Sequence, residues 1–466
     1  MATKKNKVIY DNHIIPSKDP SGFLFFRDGV IFRQINLSFR KSYDHFIRSG
    51  LYEKLVSTKL LISQSEVSNR YRKTNQAYKI TRPYLVPFIS YPYEWCFSQL
   101  KDAALTTLKI QKIALEFGMT LKDASPFNIQ FVEGLPKHID TLSFEIYKEG
   151  KPWIPYRQFC QLYLSPLLLA SYKDIRLLQL LRNFHEGLPL DLVSSILPVL
   201  TYLNPSILTH IHLHAKSNKL AAVKWKLAKK DSMNSTALSG LLDSLESVIS
   251  NLHWAEKSSD WEHYYRDNSY SPKAFIHKKD IILSCLKDIT RGRVLDLGAN
   301  IGEFSRLCAE KRLNTISLDN DAKVVELNYL SCKKKGEVNI MPLVGDIVSP
   351  SPGVGWESKE LSPLTDRIIS ETVMMLAFLH HIVIARNISM EKLALLLYRL
   401  CKKRLIIEFI PKSDKKVNEM LRFRQDIFLH YNQDNFLKVF RKYFSVIDSQ
   451  QIQDSQRVIF CLDRKR

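Results

Sequence analysis

The stretch Val294-Leu-Asp-Leu-Gly-Ala-Asn-Ile-Gly302 runs an apolar strand into a turn of small residues and then toward a helix. At such a turn Gly298 and Gly302 permit positive φ and close approach of a ligand, and Asn300 between them tolerates left-handed backbone better than most residues. A dinucleotide fingerprint would read Gly-x-Gly-x-x-Gly; here Asp296 precedes Gly298, and Gly302 closes the turn, so NAD is disfavoured. A second acid, Asp319, ends Ile316-Ser-Leu-Asp 23 positions after Asp296. A carboxylate there can accept two hydrogen bonds from vicinal ribose hydroxyls, with Asp321 as the alternative. A third, Asp346, lies in Val344-Gly-Asp-Ile347. Singly, each acid reads as a loop residue or helix cap; three in order at strand ends point to a ligand crevice at the carboxyl edge of a sheet. Farther on stand His380 and His381. Imidazole titrates near neutrality, so either is a candidate base, the alternative being a ring packed beneath the sheet. Glu408, at another strand end, is a further pocket candidate or else a partner for Lys412 or Arg404.

These groups need a scaffold, and the second half of the chain supplies the pattern for one. Candidate strands at Val294–Leu297, Thr315–Leu318, Asn339–Val344, Thr372–Leu376 and Leu405–Phe409 alternate with candidate helices, including Gly302–Lys311, Ala322–Lys334 and Met390–Cys401. That alternation predicts an open α/β, mostly parallel sheet with helices on both faces. A closing hairpin is expected from Phe444–Asp448 and Arg457–Leu462.

The segment Val294–Gly302 resembles motif I of the class I S-adenosylmethionine (SAM) dependent methyltransferases, with Asn300 in place of the family's middle glycine. The resemblance implies a Rossmann-like sheet and SAM as cofactor. Its amino-acid end would be held by Asp296, Gly298, Asn300 and Gly302, its ribose by Asp319, and its adenine amino group by Asp346 with Ile347 on the ring. Residues after the fourth strand line the substrate side in that family, which is where His380 and His381 fall. The loop Ser349-Pro-Ser-Pro-Gly-Val-Gly-Trp356, the paired His and the segment from Glu408 to Asp414 also resemble bacterial two-domain methyltransferase-like proteins related to a nodulation protein. Trp356 would stack on substrate or anchor its loop. Trp254, Trp261, Tyr264, Tyr265 and Tyr270 form an aromatic lead-in that would cover the pocket or pack on the sheet edge. The methyl acceptor, and whether N, O or C is methylated, do not follow from these motifs.

In the first half, Asp123, then Asn128, then Asp140 after a short hairpin repeat an order that resembles protein-kinase-like folds. There it supplies a catalytic base and two metal ligands, which implies ATP and magnesium. Leu121-Lys122 replaces the family's His-Arg or His-Gly, Thr141-Leu142 follows Asp140, and the hairpin Phe23–Ile35 lacks a glycine-rich phosphate loop. An α+β kinase-like or degenerate-kinase domain serving substrate recognition is therefore preferred to active phosphotransfer. The expected organisation is residues 1–230 as this domain, 231–250 as linker and lead-in helix, and 251–466 as the methyltransferase domain. His210, His212 and His214 alternate without a further ligand at metal spacing, so a structural role is expected and no metal site is assigned.

Composition narrows the class. The chain has 466 residues, 68 Lys and Arg against 47 Asp and Glu, and a net charge of +21. Such an excess favours polyanions, and Lys216, Lys219, Lys224, Lys226, Lys229 and Lys230 are interleaved with apolar residues. The scattering of the remaining lysines favours solvated faces over a nucleic-acid surface. Seven cysteines without a Cys-x-x-Cys pair support neither a disulfide framework nor a zinc knuckle. The longest apolar run, Val373–Ala385, is too short to span a bilayer, and the polar N-terminus carries no secretory pattern. A cytoplasmic methyltransferase with an unidentified acceptor is the expectation. The alternatives are a kinase-like phosphotransferase fused to a SAM-binding regulator, and a nucleic-acid methyltransferase.

Overall fold

Val294, Leu295 and Leu297 are almost wholly enclosed, as befits a strand covered on both faces. The computed structural model describes residues 19–216, 233–254, 271–422 and 425–465, and in it this strand, β1 (Arg293–Leu297), is an interior strand of a seven-stranded sheet. The others are β2 (Asn314–Asp319), β3 (Ile340–Val344), β4 (Ser370–Met375), β5 (Cys401–Phe409), β6 (Phe444–Gln451) and β7 (Val458–Arg464). Their order across the sheet is β3-β2-β1-β4-β5-β7-β6. The first five run parallel, whereas β7 lies antiparallel to both β5 and β6. Because β2 and β4 flank β1 on opposite sides, the winding reverses there and leaves a crevice at the strands' carboxyl ends.

Helices cover both faces. Helix α1 (Pro272–Cys285) starts at Ser271, whose hydroxyl accepts from the Ala274 amide at 3.1 Å, with Pro272 in the first turn. With α2 (Glu303–Glu310) it joins a core made with Val294, Met374 and Ile406. Strand alternation turns Leu295, Val373 and Leu405, which are in register across β1, β4 and β5, to the opposite face. Helix α3 (Ala322–Lys335) is capped by Asp321, which accepts from the Lys323 amide at 2.9 Å, and ends at Gly336 with φ +67°. Helix α4 (Met390–Leu400) stops one residue before the expected Cys401, which begins β5 instead.

The chain divides into two compact units: Met1–Tyr93, Phe97–Ala255 and Gly355–Glu360 form the first, and Glu94–Cys96, Glu256–Val354 and Leu361–Arg466 the second. In the first, strands Gly22–Arg27, Val30–Asn36, Ala77–Pro83 and Gln64–Val67 adjoin in that order as an antiparallel sheet. A 20-residue helix, Phe97–Glu116, follows, then two short antiparallel pairs: Met119–Leu121 with Phe144–Ile146, and Ile129–Val132 with Leu135–His138. Within the stretch 231–250, expected as linker and lead-in helix, a helix runs Ser235–Ser250 and is part of this unit. Lys112 of Phe97–Glu116 pairs with its Asp243 at 2.5 Å and with its Glu246. Lys219–Lys230 and the aromatic residues Trp261, Tyr264, Tyr265 and Tyr270 lie outside the described residues. Among those described, no helix is long and apolar enough to cross a membrane.

Gly302 opens α2 at φ +79°, and a Cβ there would stand 2.5 Å from Asn328 Oδ1. Asn328 cannot yield freely, because its Nδ2 donates to Ser317 Oγ at 2.8 Å and its Oδ1 accepts from Arg306. Gly302→Ala is therefore expected to lower stability by about 2 kcal/mol through strain and displacement, read as an earlier midpoint in urea unfolding. An unchanged midpoint would show that the turn tolerates a side chain.

Candidate functional site

At the crevice lies a cavity of about 280 Å³, walled by the ends of β1, β2 and β4 and by the turns that follow them. The β1 turn is held in left-handed backbone at Gly298 (φ +71°), Asn300 (φ +51°) and Gly302. At Gly298 a Cβ would meet the Phe378 ring at 2.8 Å, so that position requires glycine. The amide N–H groups of Gly298 and Ala299 donate to Leu318 O, and the Asn300 amide donates to Asp319 Oδ2 at 2.8 Å. Asp319 Oδ1 in turn accepts from the Asp321 amide at 3.0 Å. One carboxylate thus ties the β1 turn to the β2 end, while Asp321, the alternative acid, serves as the cap of α3.

Asp296 is buried on the same wall and accepts from Ser305 Oγ at 2.6 Å. Burial, foremost, and the charge of Asp319 push the Asp296 carboxyl up to about 6. Asp319 is likewise raised to about 6 by burial, with Asp321 adding to the rise and amide hydrogen bonds opposing it. Asp346 also lines the cavity; its Oδ1 accepts from the Val348 amide at 2.8 Å and its Oδ2 pairs with Arg386 at 3.2 Å. Ile347, expected against a ligand ring, turns inward at 5% exposure, and Val348 lines the cavity instead.

The two histidines separate. His381 lines the cavity, and burial brings its imidazole down to about 4. His380 is enclosed at 2% exposure, its pKa is driven well down by burial, and its Nδ1 has no hydrogen-bond partner among the described residues. Glu408 does not line the cavity. It is fully buried on β5, where it accepts from Lys278 Nζ at 2.7 Å and from the Ala377 amide at 2.8 Å. Lys412 and Arg404, its expected partners, are engaged elsewhere: Lys412 with Asp426, and Arg404 with Asp463 and Asp288. Trp356 is 74% exposed and does not line the cavity.

Wall residues that were not expected from the sequence include Lys278 on α1, and Phe378 and Arg386 in the segment after β4. Lys278 had a signal, since it shares the helical spacing of Ala274, Ile281, Ile282 and Cys285, all buried. Phe378 and Arg386 sit in irregular chain, where periodicity carries no information.

In the first unit, Asp140 pairs with buried Arg33 at 3.3 Å and accepts from Ser143 Oγ at 2.7 Å, while Asn128 Nδ2 donates to that same hydroxyl at 3.4 Å. Asp123 Oδ1 accepts from the Ser125 amide at 2.9 Å. His210 bonds to Tyr156 and Ser244, and His212 to Ser194 and Thr201, consistent with structural roles. Among the described residues, no group of three or more His, Cys, Asp or Glu is arranged to hold a metal ion.

No family model matches the chain. It is 30% identical over 455 residues to nodulation protein NoeA of Rhizobium meliloti (strain 1021), which covers 96% of this chain and 95% of that one. Solved structures with similarity include PH0226 protein from Pyrococcus horikoshii OT3, at 16% identity over 44% of this chain and 99% of that one, TM-score 0.32. Magnesium protoporphyrin IX methyltransferase (ChlM) from Synechocystis PCC 6803, with bound SAM, matches at 16% identity over 44% of this chain and 89% of that one, TM-score 0.31. The N-methyltransferase NodS from Bradyrhizobium japonicum WM9 matches at 8% identity over 42% of this chain and 99% of that one, TM-score 0.32.

The raised carboxyls bear on stability. Folding favours the protonated form of an acid whose folded pKa lies above its unfolded one, so its contribution is complete below the unfolded value near 4 and is lost as pH rises through about 6. Asp319→Asn removes one such acid. The variant is expected to match the parent near pH 4 and to exceed its unfolding free energy by about 2 kcal/mol near pH 7.5, as measured by urea titration at both pH values. A deficit at the higher pH would mean that the anion's amide bonds outweigh its desolvation.

Proposed function

The chain belongs to the family of nodulation protein NoeA, and from that premise we propose that its second unit binds SAM and transfers the methyl group to an acceptor. The observation that carries this reading is the clasp of Asp319 on the Asn300 amide, set at the winding reversal of the β3-β2-β1-β4-β5-β7-β6 sheet. A carboxylate offers about four lone-pair sites, so Asp319 can hold two backbone amides and still accept from the two hydroxyls of a ribose. Asp346 has the same spare capacity toward an adenine amino group, with Val348, rather than Ile347, against the ring. Asp296, anionic in neutral solution above its pKa of about 6, suits the ammonium of an amino-acid headgroup.

When bound, SAM supplies a methyl group already activated by its sulfonium. What remains for the chain is to hold the acceptor in line, exclude water and receive a proton where the acceptor loses one. Phe378, His381 and Ile382 form the part of the wall suited to that task. With its pKa near 4, His381 is uncharged at neutral pH and its ring can take a hydrogen bond, but it is a weak base. Alignment is therefore the larger contribution we assign to it. His380 and Glu408 stand behind the wall and act through their neighbours.

For the first unit we favour a kinase-like body that selects substrate without transferring phosphate. The arrangement keeps Asp140 and Asn128 joined through Ser143, yet sets the Arg33 guanidinium against Asp140, where a phosphate-bound cation would otherwise be needed.

Asp319→Ala is expected to weaken SAM binding by at least about tenfold, the loss of charge-assisted hydrogen bonds, with the circular dichroism spectrum unchanged. Isothermal titration of parent and variant measures it. A folded variant with parental affinity would remove Asp319 from the ribose and overturn the assignment.

A further inference from the structure

The sheet of the second unit has two edges, and charge is divided between them. At the carboxyl ends of the parallel strands, where the cavity lies, stand Asp296, Asp319 and Asp346. At their amino ends the sign reverses. Lys311 and Arg312 precede β2, and Lys333, Lys334 and Lys335 close α3 just before β3. Across the sheet, Lys402 and Lys403 begin β5, Arg441 and Lys442 precede β6, and Lys465 follows β7, whose antiparallel course ends at this same edge. All ten of these side chains are exposed. With neighbouring strands about 4.8 Å apart, the seven-stranded order spreads them over about 30 Å.

The acids of the amino edge leave much of this charge in place. Glu371 takes Lys402, Asp288 takes Lys403 and Arg404, and Asp463 shares Arg404. Glu337 is held by Arg306. Among the described residues, no carboxylate pairs with Lys311, Arg312, Lys334, Lys335, Arg441 or Lys442; Glu310, exposed at the end of α2, offsets one of them. Helix ends explain only part of the pattern. Lys333, Lys334 and Lys335 complement the dipole of α3, but Lys311 and Arg312 follow α2, and Lys442 lies in the turn before β6.

We propose that this amino edge seats the second unit on a bilayer surface rich in anionic headgroups. Such a surface asks only for clustered Lys and Arg close to its plane. A nucleic acid asks for more. No exposed aromatic ring stands among the described residues of this edge to stack on a base, and the helices of the sheet meet the edge by their ends, so none lies along it to enter a groove. The cavity is at the opposite ends of the strands. A unit seated in this way therefore opens its cavity to the aqueous phase, and a ligand reaches it from there. The inference stands independently of the reading of the cavity as a SAM pocket.

The test is co-sedimentation of the full chain with vesicles of phosphatidylcholine alone, and of phosphatidylcholine and phosphatidylglycerol in equal parts. The chain is expected to bind the mixed vesicles, to leave them as salt is raised, and not to bind the neutral ones. Replacing Lys311, Lys334, Lys335 and Lys442 together by Gln should weaken binding by about a hundredfold. Replacing Lys273, Lys392, Lys415 and Lys416 by Gln removes the same charge from the cavity-side ends of α1, α4 and the helix Lys415–Leu421, and should leave binding near the parental value. Circular dichroism and urea midpoints check that both variants fold. If the first does not, Lys334→Gln with Lys335→Gln replaces it, with a loss of about tenfold expected. No binding to the mixed vesicles, or equal losses in the two variants, would overturn the proposal. Binding of a mixed-sequence single-stranded RNA that the amino-edge variant loses, with no binding to vesicles, would make this face a nucleic-acid surface and overturn it as well.

Discussion

The hydrogen bond from the Asn300 amide to Asp319 joins the end of one strand to the turn of its neighbour, and much of the second unit is arranged around it. For the amide to point at the carboxylate, the chain must pass through left-handed backbone at Gly298, Asn300 and Gly302. For the carboxylate to be there, β2 must lie beside β1 in parallel register, with Leu318 opposite Leu297. Phe378 then closes on Gly298 from the segment after β4, where a side chain on the glycine would exclude it. The β1 turn and the β2 end thus meet on one carboxyl group, and the segment after β4 closes on the turn they form. The cavity is the space left between them.

That convergence has an energetic cost. Asp296 and Asp319 are enclosed near one another, and each resists ionisation because burial removes the water that would stabilise its charge. Two such acids in one wall lower stability at neutral pH, a cost that a cationic ligand bound between them would offset, as in the familiar opposition between function and stability. The ion pair of Lys278 and Glu408 has the same character: it places charge in the interior, where an apolar pair would pack without desolvation.

How far the sequence discloses this depends on whether the signal is local. The glycine turn and the acid at the end of β2 are local: turn chemistry names Gly298, Asn300 and Gly302, and the end of an apolar run names Asp319. The parallel sheet follows as well, since alternating apolar segments require it. Phase is harder. Ile347 and Val348 are both apolar, and only the path of the chain after β3 decides which faces the cavity. Partnership is harder still. Glu408 finds Lys278, 130 residues away in sequence, and neither residue's neighbours announce the other. Lys112 likewise finds Asp243 of the helix Ser235–Ser250 more than a hundred residues farther along the chain. Such pairings are set by tertiary packing, which spacing along the chain does not encode.

The central claim is that the crevice around Asp319 binds SAM, and amide hydrogen exchange of the full chain with and without saturating SAM tests it most directly. The account predicts slowed exchange at residues 298–302, 319–321 and 346–348, the three turns that converge on the cavity. Exchange unchanged in all three turns, with SAM demonstrably saturating, or protection confined to the segment from Asp123 to Ser143, would contradict it.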